Sequence, residues 1–168
     1  MLAAVLGLAA TGTAHATTLV LEDGTVGPQP YQGWVDHARV PTVAGPITLT
    51  LTSCPDGELI ACAPGSGPTI AVAPEWATRH VVFHELGHLF DDAMAPWARD
   101  AFRALLHRAA AWDGPAETNP PDEQFAEAYA LCARRARIRR QYFAGYHYAP
   151  TPELHHRVCA LIRAAAAG

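Results

Sequence analysis

The apolar and polar positions divide the chain into a strand-forming first half and a helix-forming second half. Residues 47–52 alternate apolar side chains with threonine at period two, which predicts a half-buried strand, and Thr69–Val72 predicts a second short strand. From Pro74 onward apolar residues recur at helical spacing, and one stripe of them comprises Val82, Leu86, Leu89 and Phe90. We therefore expect an α+β fold in which a small N-terminal β-sheet precedes a helical half.

Capping residues and prolines predict three further helices after the one that starts near Pro74. The first covers residues 96–112 and turns three apolar side chains inward, namely Phe102, Leu105 and Leu106. The second covers residues 122–140, with Asp122 as its N-cap. The last covers residues 152–165 and follows Thr151, another good N-cap residue.

Length and composition describe one globular domain. A chain of 168 residues has room for a single domain with a sizeable core, and its 50% of hydrophobic residues excludes a disordered chain. The net charge of −4 gives no electrostatic reason to expect a nucleic-acid partner. The nine histidines, in contrast, direct attention to metal chemistry.

The first residues predict a secretory signal peptide. Residues 2–10 are an apolar run of small and aliphatic side chains, and Ala14-His15-Ala16 has the Ala-x-Ala pattern of a cleavage site. We expect residues 1–16 to be removed, so that residues 17–168 form a secreted or extracytoplasmic domain that is not membrane-bound. The alternative for this segment is a buried N-terminal helix. No other stretch contains the roughly 18 apolar residues that a membrane span needs.

The cysteines fit an oxidising compartment. The four residues Cys54, Cys62, Cys132 and Cys159 allow three pairings. The simplest pairing joins Cys54 to Cys62 and Cys132 to Cys159. Because none of them has the C-x-x-C spacing of a cysteine zinc site, disulfides are favoured over metal-binding thiolates.

The segment His84-Glu85-Leu86-Gly87-His88 has the His-Glu-x-x-His pattern of a zinc peptidase helix. Histidines four residues apart project from one helix face, so both imidazoles can bind one ion. Glu85 is rotated by about 100° from His84, which places its carboxylate beside the open coordination position as a general base. Gly87 is expected to keep the surface beside the metal free of a side chain. The alternative is an ordinary amphipathic helix with a surface pair of histidines.

A catalytic zinc ion needs a third protein ligand, and a later pair of glutamates can supply it. Glu123 and Glu127 are also four residues apart on a predicted helix. One carboxylate can bind the metal, while the other accepts the second N–H of a ligand histidine and fixes its tautomer. Asp91, one turn beyond His88 on the same face, is a second candidate for that supporting role.

Two other zinc layouts are excluded. The metzincin pattern requires glycine and histidine three and six positions after the second histidine, where this chain has Asp91 and Met94. The inverted motif His-x-x-Glu-His does not occur at this helix. A zinc site with a glutamate as its third ligand remains.

The segments His84-Glu85-Leu86-Gly87-His88-Leu89-Phe90-Asp91-Asp92 and Glu123-Gln124-Phe125-Ala126-Glu127-Ala128 resemble the catalytic half of the lethal-factor-like zincins. That group of secreted bacterial peptidases carries a His-Glu-x-Gly-His helix ending in two aspartates and a later helix with Glu-x-Phe-Ala-Glu-Ala. The resemblance covers about a third of the chain and implies a zincin-like fold. It also implies that Glu123 is the zinc ligand and that Glu127 supports a ligand histidine.

The family has a tyrosine a few residues before the ligand glutamate, where it stabilises the oxyanion. Residues 116–122 of this chain contain no tyrosine. Tyr146 or Tyr148, in the loop after the predicted helix of residues 122–140, can take this role. The alternative is that both rings wedge between the last two helices.

These observations predict a secreted zinc endopeptidase that hydrolyses a peptide or protein substrate. One Zn²⁺ ion is expected on His84, His88 and Glu123, and an extended substrate is expected to pair with the strand Thr69–Val72. Two other functions fit the sequence, namely an intracellular repressor-cleaving peptidase and a non-catalytic secreted protein that binds zinc structurally. The presence of Glu85 favours an enzyme, because a structural zinc site has no use for a base.

Overall fold

A small mixed sheet and a set of helices make up the fold, which is described from a computed structural model. It covers residues 16–55, 57, 59–65, 67–115 and 118–166. The predicted signal peptide lies outside these residues except for Ala16, and the first strand begins at Thr17.

The described residues form four strands, five α-helices and one short 3₁₀ helix. The strands are β1 (Thr17–Leu21), β2 (Gly45–Thr50), β3 (Ala61–Cys62) and β4 (Thr69–Val72). The helices are α1 (Tyr31–Asp36), α2 (Arg79–Ala93), α3 (Pro96–Leu105), α4 (Pro121–Arg134) and α5 (Pro152–Ala165). The predicted α+β class is thus confirmed, with the additional short helix α1 lying between the first two strands.

The sheet has the strand order β1-β2-β4-β3. Strands β1, β2 and β4 are parallel, whereas β3 pairs antiparallel with β4, placing Ala61 opposite Val72. Strand β4 therefore has a neighbour on each side, and β3 is an edge strand of the sheet. This differs from the expectation that Thr69–Val72 is open to a substrate.

Apolar residues of the strands pack against helix α2. Leu19, Ile47, Leu49, Ile70 and Val72 of the sheet are fully buried. The predicted stripe on α2 is buried with them, with Val82 and Leu86 at 0% and 1% exposure. The opposite side of α2 is therefore left to carry the histidines of the motif.

Helix α2 begins later than the sequence pattern predicts. Residues Pro74–Trp76 form a separate 3₁₀ turn, and the α-helix starts at Arg79 after Thr78. The Thr78 hydroxyl oxygen accepts a hydrogen bond from the Val81 amide at 3.3 Å. Thr78 thus satisfies one of the free amides of the first turn.

Helix α3 is shorter than predicted because of a contact that the local sequence does not show. It ends at Leu105, and the chain then reverses through His107, which has a φ of 53°. The Trp112 indole N–H donates to Asp91 Oδ2 at 2.7 Å, which draws this segment back toward α2. Phe102 is fully buried as predicted, whereas Leu105 and Leu106 are only partly buried.

Helix α4 also ends before its predicted boundary. It stops at Arg134, and Arg135 is extended, with φ −134° and ψ 114°. The His155 ring donates from Nε2 to the Arg135 carbonyl oxygen at 2.9 Å, so this carbonyl is bound by α5 instead of by a further helical turn. At the other end Asp122 is not the N-cap, because Pro120 holds that position and Pro121 starts the helix. Helix α5 matches its prediction, and the Thr151 hydroxyl accepts from the Leu154 amide at 3.2 Å.

The cysteines pair as the simplest arrangement predicts. Cys54 is bonded to Cys62, with the Cα atoms 6.0 Å apart, and Cys132 to Cys159, with the Cα atoms 5.5 Å apart. The first bond holds the edge strand β3, and the second joins α4 to α5. Such bonds are typical of proteins from oxidising compartments. In the part of the chain that the structure describes, none of the helices has the length and apolar character needed to cross a membrane.

Candidate metal centre

The predicted ligands come together between α2 and α4. Nε2 of His84 lies 3.1 Å from Oε2 of Glu123, and Nε2 of His88 lies 3.6 Å from the same oxygen. The two Nε2 atoms are 3.3 Å apart. These three atoms form a compact triangle that can hold one metal ion.

Gly87 allows this meeting of helices by a different means from the one expected. A Cβ atom at Gly87 would lie 2.9 Å from the Ala126 Cα and 3.2 Å from the Tyr129 Cβ. Gly87 therefore faces the backbone of α4 and does not face the metal site. The absence of a side chain lets α4 approach α2 closely enough for Glu123 to reach both histidines.

The charges in the triangle stabilise a cation. Burial lowers the pKa of His84, but hydrogen bonds to Glu123 and Glu127 outweigh this effect and raise the pKa to about 10. Burial raises the pKa of Glu123, and the hydrogen bonds from His84 and His88 outweigh it, so that the pKa falls to about 2. The carboxylates thus favour a positive charge between the histidines, either as a proton or as a metal ion.

Glu85 is not part of the triangle of His84, His88 and Glu123, but it lines the same cleft. Its side chain is only 4% exposed, and Oε2 has no hydrogen-bond partner among the described residues. Burial raises its pKa, against the opposing effect of His84 and His88. A buried carboxylate with a raised pKa and a free oxygen is suited to take up a proton.

Glu127 lies behind His84, as the predicted supporting role requires. Its Oε1 is 3.3 Å from Nδ1 of His84, the ring nitrogen that faces away from Glu123. The same oxygen is 3.2 Å from Nε2 of His80. Burial raises the pKa of Glu127, but the hydrogen bonds from both histidines outweigh it and lower the pKa to about 2. The carboxylate therefore remains ionised although it is 4% exposed.

Asp91 does not support a ligand histidine, and that prediction is corrected. Its Oδ1 accepts from Nε of Arg99 and its Oδ2 from the Trp112 indole, both at 2.7 Å. Both carboxylate oxygens are therefore engaged at the wall of the cleft. Asp91 instead joins the end of α2 to α3 and to the segment that carries Trp112.

The structure separates the two tyrosines that the sequence offers as oxyanion donors. The Tyr146 ring stacks on His84, with the centroids 5.6 Å apart and 26° between the planes, and it lines the cleft. Burial and the carboxylates of Glu123 and Glu85 raise its pKa, so its phenol stays protonated. Tyr148 is 1% exposed and packs against Phe102, with its hydroxyl lacking a partner in the described chain. Tyr148 therefore lies in the core beside Phe102 and does not line the cleft, so the structure does not support the catalytic role considered for it.

The loop that presents Tyr146 has an uncommon backbone. Tyr146 and His147 have φ values of 50° and 55°, and the Tyr148 amide donates to the Gly145 carbonyl at 2.9 Å. Left-handed residues other than glycine cost about 1–2 kcal/mol each and are frequent at functional sites. The Gln124 side-chain amide donates to the Tyr146 carbonyl at 2.8 Å and holds this turn against α4.

A cleft of about 510 Å³ opens over the triangle. Its volume is within the range of small-molecule and peptide sites. Ala61, Cys62 and Ala63 line one wall, so the edge strand β3 borders the metal centre. Strand β4, which the sequence placed along the cleft, lies one strand further back.

A second group of metal-binding residue types lies in the core, where Cys132, His155 and Cys159 are close together. The two cysteines are joined in a disulfide, so their sulfur atoms are not thiolates that could bind a metal. This group therefore belongs to the structural core between α4 and α5.

Sequence reasoning missed His80 and Arg134. Nδ1 of His80 is 2.6 Å from a terminal guanidinium nitrogen of Arg134. The spacing of His80, His84 and His88 at four-residue intervals is the signal that could have identified the first of them. Arg134 carries no comparable signal, because a single arginine on a helix does not show which side chain of another helix it contacts.

No protein-family model, curated protein or solved structure matches this chain.

Proposed function

We propose that the chain is a secreted zinc-dependent endopeptidase of the zincin type. The observation that carries this proposal is the triangle of His84, His88 and Glu123, with the buried Glu85 beside it in an open cleft. Two histidines and a carboxylate are the ligand set of thermolysin-type zinc peptidases. The two disulfides agree with an extracytoplasmic location.

The dimensions of the triangle fit zinc. Ligand atoms at about 2.0–2.1 Å from a tetrahedral zinc ion lie about 3.3–3.4 Å from one another. The separations here are 3.1, 3.3 and 3.6 Å. The donor set of two imidazoles and one carboxylate suits zinc better than calcium or magnesium, which prefer oxygen ligands. The three protein ligands leave a coordination position open, as in catalytic sites.

In the proposed hydrolysis of a peptide bond, each residue of the site has its own role. Bound zinc supplies Lewis acidity toward water and toward the scissile carbonyl. Glu85 accepts the proton of the attacking water and passes it to the departing amine, and the raised pKa of its carboxyl suits both transfers. Tyr146, protonated and stacked on His84, donates a hydrogen bond to the developing oxyanion.

The edge strand β3 is the proposed support for the substrate backbone. An edge strand has unpaired amides and carbonyls, so an extended peptide can add to it as a further strand. Ala61 and Cys62 pair with β4 on one side and border the cleft on the other. The disulfide to Cys54 holds this short strand in place.

The test compares Glu85→Gln with the wild-type chain. We expect full zinc content by elemental analysis and a loss of about 10²–10⁴-fold in peptide cleavage, because the amide cannot accept the proton. Glu75→Gln, at an exposed glutamate of the 3₁₀ turn, is the matched control and should cleave normally. Cleavage of a peptide library by Glu85→Gln at the wild-type rate would contradict the mechanism. A wild-type chain that holds zinc without cleaving any peptide would favour the non-catalytic alternative.

A further inference from the structure

Two rows of polar side chains on α2 and α4 face each other at the interface of these helices. His80, His84 and His88 follow one another at single-turn spacing on α2. Their partners on α4 follow in the reverse order along the chain. His88 and His84 contact Glu123. His84 and His80 contact Glu127, and His80 also contacts Arg134. We call this chain of contacts the ladder. The three candidate metal ligands lie at one end of it, and Arg134 lies at the other end.

The direction of each hydrogen bond in the ladder is set by Arg134, which can only donate, and by the Glu127 carboxylate, which can only accept. A guanidinium group has only donors, so Nδ1 of His80 must accept the bond from Arg134 at 2.6 Å. The proton of the neutral His80 ring is therefore on Nε2, which donates to Glu127 Oε1 at 3.2 Å. Glu127 in turn accepts from Nδ1 of His84 at 3.3 Å. Nε2 of His84 is left as the nitrogen whose lone pair can face a metal ion.

The surroundings of Glu127 leave it few other donors. The carboxylate is 4% exposed, and its Oε2 has no partner among the described residues. The loop that carries Gly145 and Tyr146 packs against this carboxylate, since a Cβ at Gly145 would lie 2.7 Å from Oε1. Removal of the His80 donor would therefore leave a buried carboxylate that is oriented by the single bond from His84 and is otherwise unsatisfied.

The guanidinium of Arg134 is itself held in position. Its Nε donates to the Ala130 carbonyl at 2.9 Å, one turn back on the same helix. This bond orients the planar group so that a terminal nitrogen points at His80. An arginine fixed at two points is a directional donor, which the single ammonium of a lysine cannot reproduce.

We propose that His80 and Arg134 are positioning residues for the metal centre, acting on the ligand His84 through Glu127. This inference rests on the proposed function, since it assumes that the triangle binds zinc. Outer partners of metal ligands typically contribute 10–100-fold to metal affinity. We expect Glu127 to lie in that range, and His80, one contact further out, to contribute about threefold to tenfold.

The test measures the zinc dissociation constant of the full chain by competition with a chromophoric chelator, without any peptide substrate. His80→Phe keeps the ring volume but removes both hydrogen bonds, and it should weaken zinc binding about threefold to tenfold. His80→Gln is the conservative variant, because its amide can donate to Glu127 and accept from Arg134. We expect it to restore most of the wild-type affinity. His156→Phe, at an exposed histidine of α5, is the matched control and should bind zinc normally.

A double-mutant cycle separates action through Glu127 from a general effect on folding. If His80 acts through Glu127, then adding His80→Phe to Glu127→Gln should weaken zinc binding no further than Glu127→Gln alone. Full additivity of the two effects would overturn the inference. So would unchanged zinc affinity in His80→Phe.

A second readout does not depend on the metal. The ¹⁵N chemical shifts of the His80 ring should report the Nε2–H tautomer in the chelator-treated wild-type chain. Relaxation of the ring nuclei should show a more mobile His80 ring in Arg134→Met, because the ring then keeps only its hydrogen bond to Glu127. Equal ring mobility in both proteins would overturn the role of Arg134. A wild-type chain that binds no zinc at all would overturn the proposed function and this inference together, whereas normal wild-type binding with unchanged variants overturns the inference alone.

Discussion

Gly87 and Ala126 lie in close contact between the two helices that carry the metal centre, since a Cβ on Gly87 would lie 2.9 Å from the Ala126 Cα. The contact is with backbone, which cannot move aside as a flexible side chain can. Gly87 lies one residue before His88, and Ala126 lies between Glu123 and Glu127. The distance between the helices at this point therefore determines whether the carboxylates reach the imidazoles.

Gly87→Ala is expected to destabilise the protein and to weaken its metal site. Overpacking costs about 1–3 kcal/mol, which exceeds the gain of about 1 kcal/mol from the better helix propensity of alanine. Urea unfolding should show the lower free energy of unfolding, and chelator competition the weaker zinc binding. Gly33→Ala in α1 is the control, because its Cβ would meet only the movable end of the Gln29 side chain, at 2.9 Å. Equal stability of the two variants would contradict the proposed role of Gly87.

Glu123→Gln is expected to remove most of the zinc affinity while the chain still folds. The amide loses the charge that balances the ion, so the loss should exceed the 10–100-fold typical of residues that only support a ligand. Equilibrium dialysis against buffered zinc measures the effect, and Glu153→Gln, at an exposed glutamate of α5, is the matched control. Full zinc occupancy in Glu123→Gln would assign the third ligand to another residue.

The sequence predicted the parts of the site that depend on local spacing. His84, His88, Glu123 and Glu127 stand out because a four-residue interval places side chains on one face of a helix. His80 extends the same interval but was not recognised, since a histidine alone does not show that a carboxylate faces it. Arg134 depends on the packing of α2 against α4, which no local pattern reveals.

The errors in predicting the fold also arise from contacts between residues that are distant in the sequence. Strand β3 has only two residues, too few to show an alternating pattern, and its pairing with β4 changes which strand borders the cleft. The end of α4 depends on the bond from His155 to the Arg135 carbonyl, across 20 residues of sequence. Local propensity sets where a helix can form, and such distant contacts decide where it stops.

Tyr146→Phe is expected to lower the turnover number and leave the zinc content unchanged. Loss of one oxyanion donor typically costs about 10²–10³ in kcat. Steady-state kinetics on a cleaved peptide would show the fall in kcat with little change in KM. Tyr148→Phe is the control, because it removes a buried hydroxyl that has no hydrogen-bond partner among the described residues, and it should leave stability equal or slightly higher. Normal kcat in Tyr146→Phe would exclude its phenol as the oxyanion donor.

His155 is expected to make the folded state less stable as the pH falls below about 6.5. Burial lowers its pKa in the folded protein, against the opposing hydrogen bond to the Arg135 carbonyl. Its Nε2 proton is used in that bond, and its other nitrogen faces the sulfur atoms of the Cys132–Cys159 disulfide, which are weak acceptors. A second proton on the ring therefore finds no adequate acceptor.

Whether acid stabilises or destabilises the fold depends on which state, folded or unfolded, binds the proton more readily. Below its ordinary pKa of 6.5, His155 takes up a proton in the unfolded chain but not in the folded one, so acid favours unfolding until the pH reaches the lower folded pKa. The slope from this one group is at most about 1.4 kcal/mol per pH unit. Urea unfolding at pH 5.0–6.5, with a chelator present to exclude metal linkage, should show this slope in the wild type and a smaller one in His155→Gln. His156→Gln, at the exposed neighbouring residue, should keep the wild-type slope, and a slope unchanged in His155→Gln would show that His155 does not control acid stability in this range.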